Sequence, residues 1–184
     1  MSKKETTFHT LGNKICFISL GCPRNLVDSE VMLGILLQAG YEPSQQLEEA
    51  DYIVINTCGF LKAARDESLA TVQEALKTRK TDAKVIVTGC MVRKHADEIT
   101  KRFPKVDYLL GSGDVKGILR AVQSSEQDSE ITSAKSYLEA GEVPRELSTP
   151  PHYAYLKIAE GCRKRCAYCV IPDIKGPLKS KSVE

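Results

Sequence analysis

The sequence lacks the features that would point to a membrane or to a nucleic-acid partner. Its formal net charge is only +2 over 184 residues, which is too small to favour binding to nucleic acid or to an acidic membrane. It contains no apolar run that approaches the ~20 residues of a membrane-spanning helix. Its start, Met1 to Thr7, has no apolar stretch of the kind found in signal peptides. We therefore expect a cytoplasmic protein that does not contact a membrane.

What the sequence does contain is enough apolar material for a core, and many cysteines. Hydrophobic residues make up 42% and charged residues 27%, which is typical of a globular domain. A reducing compartment keeps thiols free, so repeated cysteines there indicate metal binding or catalysis rather than disulfides. The seven cysteines are Cys16, Cys22, Cys58, Cys90, Cys162, Cys166 and Cys169.

Apolar runs rich in strand-forming residues alternate with amphipathic segments. Strands are predicted at residues 14–20, 51–56, 84–88 and 107–110, and helices at 26–39, 61–79, 93–102 and from the capping residue Asp114 to about 123. Nearly continuous apolar strands are typical of a sheet that is covered on both faces. The repeated strand–helix order therefore predicts an α/β fold, with a parallel sheet flanked by helices.

Changes in composition divide the chain into four segments. Residues 1–13 are predicted to be a flexible N-terminus, and residues 14–123 an α/β domain. Residues 124–151 are polar and then rich in proline, which predicts a linker. A further strand predicted at residues 153–159 opens the last segment, residues 152–184.

Three cysteines directly follow three of the predicted strands. Cys22, Cys58 and Cys90 come after the first, second and third strand, and each has a glycine beside it. Because the carboxyl ends of parallel strands share one edge of a sheet, we expect these cysteines to converge on a common ligand. The alternative is that free cysteines are small buried hydrophobic side chains. That alternative is preferred for Cys16, which lies in the middle of a strand.

The other three cysteines form a compact motif. Cys162, Cys166 and Cys169 have the spacing C-x3-C-x2-C. Thiolates are the natural ligands of iron–sulfur clusters, and three of them would leave one iron of a cubane open. A structural zinc site is the alternative, but it normally needs four ligands, and the neighbouring residues offer no fourth cysteine.

These motifs resemble the methylthiotransferase branch of the radical S-adenosylmethionine (SAM) enzymes. The loop Glu160 to Cys169, with Ile171-Pro172 and Gly176 after it, is similar to the cluster loop of that branch. Gly21-Cys22, Asn56-Thr57-Cys58-Gly59 and Thr88-Gly89-Cys90 are similar to its N-terminal domain. Pro23 and Gly59 resemble the subfamily that modifies ribosomal small-subunit protein S-twelve. The tRNA adenosine methylthiotransferases, which remain an alternative, usually have Gln and Ser at these two positions.

The resemblance implies two 4Fe–4S clusters and SAM as cofactors. Cys162, Cys166 and Cys169 would hold the cluster that cleaves SAM to a radical, and Cys22, Cys58 and Cys90 the cluster that presents sulfur. The product would be a methylthio group on the β-carbon of an aspartate in protein S-twelve, made with a reductant and a sulfur donor of unknown identity. Tyr168 matches an aromatic residue that packs near the adenine of SAM, unless it only fills the core.

The last segment is short for this family. A complete (β/α) barrel takes ~200 residues, and only 34 residues follow position 150. The resemblance therefore implies the first strand and cluster loop of a truncated radical-SAM barrel, in the N-terminal portion of a longer enzyme that is inactive by itself. A non-catalytic metal-binding module is the alternative.

Overall fold

The computed structural model describes residues 13–124, 128–131, 135–138 and 142–182. Six strands in these ranges form one sheet: β1 (Lys14–Ser19), β2 (Glu42–Pro43), β3 (Tyr52–Thr57), β4 (Lys84–Gly89), β5 (Tyr108–Leu110) and β6 (Asp128–Glu130). Their order is β2-β1-β3-β4-β5-β6, and every pairing is parallel. Two further strands, β7 (Ala159–Glu160) and β8 (Lys179–Ser180), form a separate antiparallel pair.

Four helices connect the strands and cover the sheet on both faces. They are α1 (Pro23–Gln38), α2 (Lys62–Thr78), α3 (Cys90–Arg102) and α4 (Ile118–Gln123), and the short α5 (Ile171–Lys175) follows later. Because side chains alternate along a strand, Val54 of β3 packs with α1 and α4, while Ile53 and Ile55 pack with α2 and α3. The predicted α/β fold with a helix-flanked parallel sheet is confirmed. None of the described helices combines the length and apolarity needed to cross a membrane.

The local signals place the elements close to their predicted bounds. Pro23 stands in the first turn of α1, where its missing N–H costs no hydrogen bond. The Asp114 side chain accepts a hydrogen bond from the backbone N–H of Gly117 at 3.2 Å, as its predicted capping role requires. A short 3-10 turn, Val115–Gly117, lies between this cap and α4.

The segment predicted as a linker contributes to the first domain. β6 pairs with β5, and Tyr137 and Leu138 are buried in the core beside α1 and α4. The linker prediction is wrong for these residues. The polar composition of the segment does not reveal that Tyr137 and Leu138 are buried or that β6 pairs with β5. The predicted flexible N-terminus lies outside the described residues, except for Asn13.

The strand predicted at residues 153–159 is also wrong for most of its length. Only Ala159 belongs to a strand, β7. Leu156 and Ile158 are 77% and 64% exposed, and none of the described strands pairs with residues 153–158. A strand exists only where a neighbour satisfies its backbone groups, so strand-forming composition alone does not produce one here.

Candidate functional site

The first three predicted cysteines lie at the carboxyl edge of the sheet. Cys22 precedes the first turn of α1 just after β1, Cys58 follows β3 directly, and Cys90 is the first residue of α3 directly after β4. β1, β3 and β4 are adjacent and parallel, so their three ends share one edge. Cys22 is exposed, whereas Cys58 and Cys90 are each only 9% exposed.

The buried amide of Asn25 joins the three strand ends. Its Nδ2 donates to the carbonyl oxygens of Leu20 at 3.1 Å and Thr57 at 2.9 Å. Its Oδ1 accepts from the Sγ of Cys90 at 3.6 Å. Asn25 is 1% exposed, so this side chain fixes the ends of β1 and β3 and the start of α3 together. Sequence reasoning assigned it no role, although it stands three residues after Cys22.

A close backbone approach brings the loop of Cys22 against Cys58. Gly21 has φ +89°, and a Cβ there would lie 2.7 Å from the Cβ and 3.0 Å from the Sγ of Cys58. Only glycine tolerates both this conformation and this contact. Gly21 therefore allows the first loop to pack directly on the second cysteine.

The surroundings of Cys90 combine burial with several charges. Burial raises the pKa of the Cys90 thiol; the cation of Lys175 opposes this, and the charges of Cys58 and Cys22 add to it. Cys90 also opens α3, and the positive end of a helix favours an anion at its N-terminus. Burial therefore favours the neutral thiol at Cys90, while the Lys175 cation and the N-terminus of α3 favour the thiolate.

The second predicted set surrounds an open cleft of about 650 Å³. Its lining residues are Cys162, Arg163, Arg165, Cys166, Cys169, Pro172, Asp173, Gly176 and Pro177. The backbone N–H of Lys164 donates to the Sγ of Cys162 at 3.4 Å. This cleft is within the size range of small-molecule sites. Tyr168 is outside the lining set and is 89% exposed.

Backbone contacts hold the two ends of the cysteine loop together. The backbone N–H of Cys162 donates to the carbonyl oxygen of Gly176 at 3.1 Å. Gly161 has φ +76°, and a Cβ there would lie 2.2 Å from the carbonyl oxygen of Pro177. The β7–β8 pair lies next to this crossing. The loop is therefore closed at its base, and its three cysteines line the cleft.

The donor sets are compatible with iron–sulfur clusters. Within the described ranges, no three His, Cys, Asp or Glu side chains are placed for one metal ion. A 4Fe–4S cubane binds each thiolate on a different iron, so its ligands need not meet at a single point. Two sets of three thiols, one at a sheet edge and one on an open cleft, are compatible with that requirement. Cys16 is 5% exposed within β1 and belongs to the core.

Four buried charged side chains, which sequence reasoning missed, link the helix that follows Cys22 to both flanks of the second cysteine loop. Lys157 Nζ lies 2.5 Å from Asp28 Oδ1 and also contacts Glu160 Oε2. Lys175 Nζ lies 3.4 Å from Asp28 Oδ2 and 3.3 Å from Glu160 Oε1. All four side chains are at most 5% exposed. We call Asp28, Lys157, Glu160 and Lys175 the charge quartet.

Comparison with known proteins agrees with the first set of motifs. The model of a family described as "Uncharacterized protein family UPF0004" matches residues 14–111. That range starts with β1, ends just after β5 and includes Cys22, Cys58 and Cys90. It covers more than half of the chain. The chain belongs to this family.

The matches to curated relatives span nearly the whole chain. The chain is 75% identical over 173 residues to a protein of Protochlamydia amoebophila, covering 94% of this chain and 36% of the relative. It is 64% identical over 187 residues to one of Chlamydia caviae (100% and 40%) and 44% identical over 179 residues to one of Pelotomaculum thermopropionicum (95% and 40%). All three are named ribosomal protein uS12 methylthiotransferase RimO.

The relatives are much longer than the chain. The chain spans about two fifths of their length and corresponds to their N-terminal part. These matches confirm the resemblance of the chain to the methylthiotransferase family and to its uS12 branch.

Proposed function

We propose that the protein to which this chain belongs is a cytoplasmic radical-SAM enzyme that adds a methylthio group to the β-carbon of an aspartate in ribosomal protein uS12. The observation that carries the proposal is the separation of six cysteines into two sets of three, one at the sheet edge and one on an open cleft. The names of the relatives support uS12 over tRNA as the substrate.

We assign one 4Fe–4S cluster to each set. Cys22, Cys58 and Cys90 would hold one cluster, and Cys162, Cys166 and Cys169 the other, with SAM in the cleft. When bound, the clusters and SAM would supply the electron, the carbon radical and the transferred sulfur and methyl group. A reductant and a sulfur donor are required as partners.

The chain's own residues orient these groups. Asn25 fixes the loops of the first set through its bonds to Leu20 and Thr57. In the second set, the N–H of Lys164 directs one hydrogen bond at the Cys162 sulfur, an interaction that tunes iron–sulfur potentials. The exposed ring of Tyr168 is available to contact the adenine of SAM, and residues 152–184 would begin the SAM-binding barrel.

Anaerobic reconstitution with iron and sulfide tests the assignment. The parent chain should bind about eight irons, since each cubane holds four. Cys90→Ala and Cys166→Ala should each lose about half of that iron, and the core variant Cys16→Ala should lose none. Uptake of about one zinc instead of iron, or an equal loss in Cys16→Ala, would contradict the proposal.

A further inference from the structure

The charge quartet connects the parts of the chain that carry the two cysteine sets. Asp28 lies on α1, six residues after Cys22. Glu160 stands two residues before Cys162, and Lys175 six residues after Cys169, at the end of α5. Each carboxylate contacts both lysines. The helix of the first set and both flanks of the second loop therefore meet at one buried point.

Because the charge quartet is buried, each of its charges needs a partner of opposite sign. Two carboxylates and two ammonium groups give a net charge of zero, so removing any single member leaves a buried net charge. A buried charge that loses its partner is strongly unfavourable, whereas a complete network is tolerated. A network of this kind contributes little net stability compared with apolar packing. What it can supply is a fixed arrangement, because each carboxylate contacts both lysines.

The quartet is also next to the first cysteine set itself. α5, which carries Lys175, packs on α3, which begins with Cys90. The Lys175 cation acts on the Cys90 thiol, where it opposes the effect of burial. Tyr137 lies over Lys157, with 5.0 Å between Nζ and the ring centroid. Lys175, which flanks the second cysteine loop, thus lies near Cys90 of the first set.

We propose that Asp28, Lys157, Glu160 and Lys175 are positioning residues that fix the distance and orientation between the two cysteine sets. This inference rests on the proposed function only in assuming that the two cysteine sets bind clusters. The docking of the second loop on α1 is a property of the chain itself. The transfer of a group between two sites requires them to be held in one geometry, and the quartet supplies that constraint.

Hydrogen–deuterium exchange of the metal-free 184-residue chain tests the docking without any cofactor. In Lys175→Met and in Glu160→Gln, amides of residues 157–176 should exchange at least about tenfold faster, since each change leaves a buried charge unpaired. In the double variant Asp28→Asn/Lys175→Met the remaining charges balance. Its amides at residues 157–176 should therefore exchange more slowly than those of Lys175→Met alone. The control Asp66→Asn breaks an exposed ion pair with Lys62 and should change nothing.

Electron paramagnetic resonance of the reconstituted chain tests the positioning. Iron content should stay at the parent level in Lys175→Met, while the magnetic interaction between the two reduced clusters changes, and Lys175→Arg should restore it. Unchanged exchange at residues 157–176 in both folded single variants would overturn the inference. So would an unchanged cluster interaction at full iron content. If the parent binds no iron, the proposed function fails, and the exchange experiment still decides this inference.

Discussion

The Glu30 carboxylate accepts hydrogen bonds from Nε and Nη2 of Arg145, at 2.9 and 2.6 Å. Its other oxygen accepts from the backbone N–H and the hydroxyl of Ser148, at 2.8 and 2.9 Å. Glu30 is 1% exposed, so this is a buried carboxylate with both oxygens satisfied. The contact fastens the segment around Arg145 across α1, the helix that follows Cys22 and holds Asn25.

Removal of the Glu30 carboxylate should destabilise the protein. Glu30→Ala leaves the Arg145 guanidinium and the Ser148 N–H without their acceptor, and we expect a loss of about 3 kcal/mol in the free energy of unfolding. Urea denaturation followed by circular dichroism measures it. The exposed pair of Lys62 and Asp66 provides the control, since Asp66→Ala should cost below about 1 kcal/mol. Equal losses in the two variants would contradict the assignment.

The same carboxylate predicts a dependence of stability on pH. Burial raises the pKa of Glu30, but hydrogen bonds from Ser148 and Arg145 outweigh it and leave the pKa below the usual 4.5. A carboxyl group whose pKa is lower in the folded than in the unfolded state stabilises the protein when the pH is above the unfolded-state pKa. This stabilisation is lost as the pH falls through the folded-state pKa. The difference in unfolding free energy between the parent and Glu30→Gln should therefore be constant at neutral pH and shrink below pH 4.5.

Gly34 in α1 should resist a substitution that normally stabilises helices. Gly→Ala in a helix interior is usually worth about 1 kcal/mol. A Cβ at Gly34, however, would lie 2.7 Å from the backbone carbon of Pro144 and from the backbone nitrogen of Arg145. We expect Gly34→Ala to lower the free energy of unfolding by about 1–3 kcal/mol. Gln38→Ala, at the exposed end of the same helix, is the control, and a stabilised Gly34→Ala would refute the close contact.

The sequence predicts those features that depend on neighbouring residues and on sheet topology. Cys22, Cys58 and Cys90 could be placed at one edge because parallel strands fix where their ends lie. Lys157 and Glu160 gave no such signal, since charged residues are almost never fully buried unless they are paired. Their partners are more than a hundred residues away, at Asp28, or beyond the cysteine loop, at Lys175, and no local pattern indicates such a pairing.

The amide of Asn25 should be essential to the first cysteine set. Asn25→Asp keeps the shape and the acceptor oxygen, but it cannot donate to the carbonyls of Leu20 and Thr57, and it brings a negative charge near the Cys90 sulfur. We expect about half of the reconstituted iron to be lost, with the cluster of Cys166 retained. Iron analysis measures the loss. In the double variant Asn25→Asp/Cys166→Ala, bound iron should fall close to zero.

The thiols of the metal-free, reduced chain should differ in reactivity in an order set by burial. Cys22 and Cys166 are exposed, whereas Cys16 and Cys90 are 5% and 9% exposed. Burial also raises the pKa of the Cys16 and Cys90 thiols above the usual 9.0, and alkylating agents react with the thiolate. We expect iodoacetamide at pH 8 to modify Cys22 and Cys166 at least about tenfold faster than Cys16 and Cys90.

Peptide mass spectrometry over a time course measures the four rates separately. Mild urea, below the unfolding transition, should leave the order unchanged, and full unfolding should make the rates equal, because the differences arise from the fold rather than from the local sequence. Cys90 modified as fast as Cys22 in the folded chain would show that the start of α3 is open. In that case Asn25, which is buried against the Cys90 sulfur, would not hold the three strand ends together.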